Sequence, residues 1–448
     1  MKLKGISLAS LLMLTTMAEP VLAKVSMQEA SELGKELTQL GAQKSANASG
    51  TIPAYTGGLA QDKNADPFQN IYENEKPLFI ITAENLSKYE KNLTPGQKAL
   101  FKKYPKSYSM PIYQTHRTAS YPKIVLDKAK RNASTADIKV KGSGIINFDE
   151  TVPFAIPKNG LEVIWNHKTR FKGGSVELNQ NFISVESDGS YLGETGVAYW
   201  VSPWYLKEGY DAKKDDNILF YYRGKTKTPV RLSGDIYLVH ETLDQEKQPR
   251  KAWMYSAGQR RVRRAPQLGF DAPDVDGLRT IDQVDQFNGS PDRYNWELVG
   301  KKEIYIPYNS YKLADRDSKY KDMIGAGHIN REYTRYELHR VWHVQATLKK
   351  GYRHIYQQRD LYVDEDSWQI SLADHYDSRG DLWRVSEGHA MQFVNAKTLH
   401  YVGEFSYDLM SGRYLAQLSN EEKNSFDFDL KLRRKDFSTG AIRRSGKR

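Results

Sequence analysis

Two kinds of hydrophobic spacing divide the chain. Before about residue 145, apolar residues recur at helical intervals; beyond it they alternate or cluster in short runs rich in aromatic and β-branched side chains. Ser26-Met27-Gln28-Glu29 has capping-box spacing, and Met27, Ala30, Leu33, Leu37 and Leu40 follow at helical intervals, with Gly41 placed to close the C-terminus. This predicts one amphipathic helix of about four turns. Residues 42–77, rich in Gly, Asn, Ala and Pro, read as a long surface loop. Further short helices are predicted near residues 83–91, from Thr94-Pro95-Gly96-Gln97 with Thr as N-cap and Pro at the first helical position, and across residues 123–131.

Beyond residue 145 the runs at 162–167, 175–187, 218–223, 235–242, 251–255, 303–306, 333–348, 353–363, 368–377 and 382–387 predict strands. Turn residues separate them, at 349–351, 364–367 and 377–380. Many strands joined by short turns, without a helical pattern between them, predict an antiparallel sheet. Alternation is clearest in the run ending at Leu348. Tyr336, Leu338, Trp342, Val344, Ala346 and Leu348 share one face, with Arg340 the exception, and Glu337, His339, His343, Gln345 and Thr347 share the other. One dry face and one wet face are expected.

An apolar share of 39% and a charged share of 27% suit a folded, water-compatible protein and argue against disorder. The absence of cysteine excludes disulfides, thiol nucleophiles, Cys-ligated zinc, iron–sulfur clusters and a lipidated N-terminal cysteine. Lys2 and Lys4 precede an apolar stretch from Ile6 to Met17, and Val21-Leu22-Ala23 supplies small residues for cleavage. The run is shorter than the ~20 residues a membrane span requires. Residues 1–23 are therefore expected to be a signal peptide cut after Ala23, leaving an exported protein that is periplasmic in a Gram-negative cell.

Net charge is +11, of which +7 falls in residues 431–448. A nucleic-acid binder should instead carry its basic charge on a folded face, so nucleic acid is not an expected partner. The tail reads either as a solvated terminus or as a docking strip for anionic headgroups or an acidic partner.

Several catalytic signals fail on their own geometry. His339 and His343 have the spacing that chelates a metal from a helix, but on a strand four residues span ~13 Å; solvent-facing histidines are expected. Gly224-Lys225-Thr226 resembles the end of a P-loop, yet Leu219 stands where the first glycine belongs and no helix follows. Asp364 and Asp366 do not continue as a calcium loop, and a hairpin turn suffices. No Gly-x-Ser-x-Gly elbow occurs. No catalytic residue, metal or cofactor is expected.

The most informative segment is residues 250–266, reading RKAWMYSAGQRRVRRAP. Trp253 and Tyr255 fall on one strand face, Gly258-Gln259 can turn, and Arg260, Arg261, Arg263 and Arg264 flank Val262. These arginines fit either an anionic headgroup or partner, or a salt-bridged strand edge that discourages aggregation. A curved, aromatic-rich sheet capped by amphipathic helices can enclose a cavity, and Trp253, Tyr255, Leu238, Leu338, Trp342 and Val344 are the candidate lining residues.

The stretch AWMYSAGQRRVRRAP is similar to a signature of proteins related to LolA and LolB, the bacterial lipoprotein carrier and its outer-membrane receptor. NASGTIPAYTGGL, LTPGQKALFKKYP, MPIYQTHRTASYP, IPKNGLEVIWNH, DQFNGSPDRYNWELVGKKEIYIPYN, RYELHRVWHVQATLKKGYRHIY, DEDSWQI and DFSTGAIRRSGKR resemble a longer exported Gram-negative family of unknown function, often labelled outer-membrane lipoprotein-sorting protein. The resemblance spans roughly Val25 to Arg448, with small departures such as Tyr55 in place of Trp. It implies a mainly β protein with flanking helices: a LolA-like half-open barrel of strongly curved antiparallel sheet, with helices closing an apolar cavity. The expected divisions are a signal peptide at 1–23, an N-terminal helical and loop extension at 24–144, the β unit at 145–430 and a basic tail at 431–448. The implied role is a non-enzymatic carrier of acyl chains or another lipophile. An RND-type inner-membrane permease and an outer-membrane protein are the implied partners. An adaptor without cargo and an exported hydrolase are the alternatives.

Overall fold

The computed structural model describes residues 25–139, 142–265, 269–419 and 426–446; the expected export segment lies outside the described residues. Its centre is one large sheet. Two meanders make up most of it. The first runs β5 (Ser175–Val185), β6 (Tyr191–Val201), β7 (Ile218–Thr228), β8 (Ile236–Thr242), β9 (Lys251–Ser256) and β10 (Arg261–Arg264). The second runs β14 (Tyr336–Leu348), β15 (Gln358–Asp364), β16 (Ile370–Tyr376), β17 (Leu382–Phe393), β18 (Thr398–Asp408) and β19 (Tyr414–Leu418). They join where β19 pairs antiparallel with β5, through Tyr414↔Val185 to Leu418↔Asn181.

β13 (Tyr294–Pro307) pairs along the whole of β14, with a bulge at Leu298/Gly300. Beside them lie β1 (Phe79–Ile81) and β2 (Met110–Ile112), and β20 (Phe426–Asp427) adds to β5. The β2–β14 bridge is parallel, the one departure among the described strands from the antiparallel sheet expected. Small separate pairs are β3 (Asp137–Ile138) with β4 (Ile145–Ile146), and β11 (Pro273–Asp274) with β12 (Arg279–Thr280). β10 does not return to β13 or β1, so the barrel stays half open.

Local chemistry accounts for several helices. α2 (Pro95–Lys103) starts at the capping box of Thr94 and Gln97, and α3 (Lys123–Thr135) occupies the predicted span. α1 (Met27–Ser31) has its capping box at Ser26 and Glu29 but ends after five residues. The expected four-turn helix is not formed: Leu33 and Leu40 are buried while the backbone turns between them, closing at Gly41 with φ +90°. Residues 83–91 give two single 3₁₀ turns. Residues 162–167, expected as a strand, lie instead in α4 (Gly160–Thr169). Asn159 caps it, its side chain accepting from the Glu162 amide, and nearly every residue is buried, so no amphipathic period marks the helix. The shorter helices are α5 (Ala212–Asp215), α6 (Tyr311–Ala314), α7 (Tyr320–Met323) and α8 (Thr439–Gly446).

The N-terminal segment and the sheet share their cores. Leu40, Tyr121, Val125, Val163 and Ile164 pack with Val344, Leu361, Val363 and Ile370. Leu100, Phe101 and Tyr108 pack with Tyr336, Val385, Met391 and Tyr414. The Trp368 indole donates to the Leu40 carbonyl at 2.9 Å, and Arg117 grips Asp366 at 2.6 Å, fixing the loop after β15 to the extension.

The wet face expected on β14 is not wet. Glu337, His339 and His343 are buried, which corrects the expectation of solvent-facing histidines. Each has an ionisable partner: His339 bridges Glu337 at 3.3 Å and Asp364 at 3.5 Å, and His343 meets Asp360 at 3.2 Å. Bonds to the two carboxylates raise the His339 pKa to about 9, outweighing its desolvation.

Candidate functional site

Neighbouring strands of the first meander leave a hole. Val176, Leu178, Gln180 and Phe182 of β5 face Trp200, Ala198, Gly196 and Glu194 of β6 across the ladder. On β7, Tyr222 and Gly224 continue the same rows, and Val239 and Tyr237 of β8 follow. Gly193, Gly196 and Gly224 bring no side chain to the lining, to which Phe182, Trp200, Phe220 and Tyr222 contribute aromatic rings. A cavity of about 670 Å³ results, within the ~300–1,000 Å³ of small-molecule sites. Its apolar wall is β5–β8. Its polar wall is the segment from Ala272 to Asn288 together with Lys172, Arg250 and Glu404.

Charges on the polar wall are tied in pairs. Arg250 Nε donates to Glu241 at 2.6 Å, and Arg279 Nε to Asp274 at 2.7 Å. Asp285 accepts from both Arg170 and Lys172, and the two cations hold its carboxyl far below the usual carboxylate range. Lys172 Nζ also lies over Trp200 at 5.7 Å and Phe220 at 5.9 Å. Glu404, on β18, is buried with one hydrogen bond from Gln286 Nε2 at 3.1 Å, and desolvation lifts its pKa to about 7. Burial likewise raises Glu194, whose carboxylate accepts from Thr226 at 3.2 Å. Such a site offers an apolar wall, aromatic edges and a few placed polar groups, the general make-up of small-molecule pockets.

None of the six lining candidates read from the sequence lies on this cavity. Leu238, Trp253 and Tyr255 sit on the opposite face of β8 and β9, under a C-terminal cover of Leu432, Phe437 and Ile442. The cover escaped notice because charge dominates residues 431–448, whereas their few apolar side chains are spaced to dock. α8 buries Ala441 and Ile442 against the sheet, and Arg434 pairs with Asp215 at 2.5 Å. Leu338 packs beside the cluster around Tyr336 and Phe101, Val344 is in the core beneath α4, and Trp342 stacks on Trp368 at 6.2 Å.

The four arginines do fall together. Arg260 makes the turn at φ +53°, and Arg261, Arg263 and Arg264 lie on β10 at the open edge of the sheet. All four are exposed and form no ion pair among the described residues, so the salt-bridged edge is not what the structure shows. Arg264 covers the Trp253 ring at 4.7 Å. In the second meander, His339, Asp364 and Asp366 bring ligand atoms within 4.8 Å of one another. Arg117 already holds Asp366, and His339 is shared by two carboxylates, so the group is a closed charge network with its own cations in place.

The cavity residues had a signal that went unread. Gly193, Gly196 and Gly224 interrupt strands otherwise made of large side chains, and glycine in a strand interior marks a place where something must fit closely. No strand was expected at β6, which carries two of them.

Fold and site together define a mainly β, half-open barrel with a partly apolar internal cavity. Among the described residues no helix is long and apolar enough to cross a membrane. The model of the protein family of unknown function DUF1329 matches residues 80–443, and the chain belongs to that family. An uncharacterised protein of Pseudomonas aeruginosa is 51% identical over 447 residues, 98% of this chain and 97% of that protein. Among solved structures, a DUF1329 family protein from Desulfovibrio piger is similar at 15% identity and TM-score 0.45, over 63% of this chain and 97% of that one. A LolA superfamily protein from Nitrosomonas europaea is similar at 13% identity and TM-score 0.38, over 63% of this chain and 99% of that one.

Proposed function

We propose that this protein is an exported, periplasmic carrier that holds the acyl chain of a lipid or another lipophile in the cavity of its first meander. The observation that carries the reading is that cavity: about 670 Å³, walled by Val176, Leu178, Phe182, Trp200 and Tyr222, and open in a barrel whose other half is filled. Each methylene buried there contributes about 0.8 kcal/mol, so a 16-carbon chain gains ~12 kcal/mol gross. Association and ordering costs of several kcal/mol leave a reversible affinity, as a shuttle requires. An adaptor without cargo has no use for an unfilled interior, so the cavity favours the carrier over that alternative. Asp274 and Asp285 of the polar wall are engaged by arginine and lysine, an arrangement suited to holding a ligand in place. An RND-type permease and an outer-membrane protein are the donor and acceptor this reading proposes.

Native mass spectrometry of the protein from its own periplasm, followed by lipid extraction, tests the reading. A discrete lipophile should co-purify, and Leu178→Trp, which fills the cavity, should lose it while melting within a few degrees of wild type. An apo mass with no uptake from a panel of lipids and hydrophobes would sink the carrier.

A further inference from the structure

Buried cations at the cavity wall are not equally satisfied. Arg250 and Arg279 each have a carboxylate of their own, Glu241 and Asp274. Lys172 shares Asp285 with Arg170, and Arg170 meets both oxygens of that carboxylate. Two cations thus face one anion. An ammonium carries three donors, and Asp285 is the one hydrogen-bond acceptor of Lys172 among the described residues. The same ammonium lies against Trp200 and Phe220, where the apolar wall begins. Across from it stands the buried carboxyl of Glu404.

We infer that this corner seats the anionic head of the bound amphiphile, a carboxylate or a phosphate monoester, with Lys172 as its direct partner and the tail along β5–β7. The inference rests on the carrier reading and narrows its ligand class. A head with negative charge supplies the missing counter-charge and accepts the free N–H groups of Lys172 by charge-assisted hydrogen bonds. Glu404 supports it while protonated, donating a hydrogen bond to the anion. The groups acting on Glu404 are Arg279, Asp285, Arg170 and Gln286; His400 beside them is held neutral by burial.

The test uses the full delipidated protein and three ligands of one chain length: decanoate, decyl phosphate and decanol, titrated by tryptophan fluorescence at pH 6.5. Both anions should bind wild type at least tenfold tighter than decanol. Lys172→Met should lose that preference while keeping its decanol affinity within about twofold, and Lys172→Arg should retain most of it. Equal affinity of wild type for decanol and decanoate overturns the anionic head whether or not any variant folds. Inorganic phosphate binding as tightly as decyl phosphate overturns the amphiphile as the anion's source. If none of the three ligands binds, it is the carrier reading itself that fails.

Discussion

In the second meander both faces of the sheet are closed; in the first, one face is closed and the other encloses a void. The difference lies in what fills the second face. Around β14–β18, charged and aromatic side chains fill the second face. Glu387 accepts from the hydroxyls of Tyr336 at 2.7 Å, Tyr108 at 3.3 Å and Tyr407 at 3.4 Å, with Arg331 and His389 beside it, and these hold its pKa near 2. Arg359, fully buried, donates to Asp282 at 2.7 Å and lies amid Phe287, Tyr294 and Tyr356. Around β5–β8 the corresponding positions carry glycine, alanine and aromatic walls, and polar groups stand at the side. A half-open barrel thus gains rigidity from one meander and capacity from the other.

Removing one member of a buried pair should hurt the filled meander most. Arg359→Met strands Asp282 and is expected to cost about 3–5 kcal/mol in denaturant unfolding. A cavity-side change such as Phe182→Ala should cost much less and show instead in ligand affinity. Equal losses would erase the contrast. Next comes the cover on the first meander's outer face: Ile442→Ala should cost ~2–4 kcal/mol and expose Leu238, Trp253 and Tyr255 to a hydrophobic dye.

A smaller, pH-dependent effect separates the closed cluster from water. Asp374 on β16 accepts from the Gly96 amide at the start of α2, yet burial pushes its pKa up to about 7. Since that value exceeds the unfolded one, its contribution is complete in acid and is lost as pH rises from about 4 to 7. Asp374→Asn should therefore gain roughly 1–3 kcal/mol on wild type between pH 5 and pH 8, measured as the difference of two unfolding curves. A difference independent of pH would mean that Asp374 ionises freely. Least of all should stability respond to the open edge: Arg261→Ser with Arg263→Ser should move it by no more than ~0.5 kcal/mol. If those arginines meet anionic headgroups, the same double variant should release the protein from vesicles containing phosphatidylglycerol.

Much of this fold was legible in the residues. Thr94 and Gln97 announced α2, the alternation from Tyr336 to Leu348 put the right residues on one face of β14, and the acidic turn after β15 was read as a turn. Where local spacing and tertiary environment disagree, the reading failed. Residues 162–167 look like a strand because Val163, Ile164 and Trp165 cluster, and a helix buried all round has no period to betray it. Glu337 and His339 look solvated because polar residues at alternate positions read as a wet face, whereas here they pair with each other and with Arg335, and Asp364 and Asn309 from other segments close over them. The cavity was the least legible feature, since it is written in small residues, and an absence of side chains carries no hydrophobic pattern. Aromatic residues drew attention to β9 instead, where Trp253 and Tyr255 serve a core beneath the C-terminal helix.

That helix belongs to a segment made after everything it completes. β19 is inserted between β18 and β5, β20 lies on β5, and α8 covers β8–β10, so residues 414–446 reach back across more than two hundred positions of chain. Without them β5 has an unpaired edge and Leu238 and Tyr255 face water. Assembly of the first meander therefore waits on contacts of very long sequence separation, which slows folding.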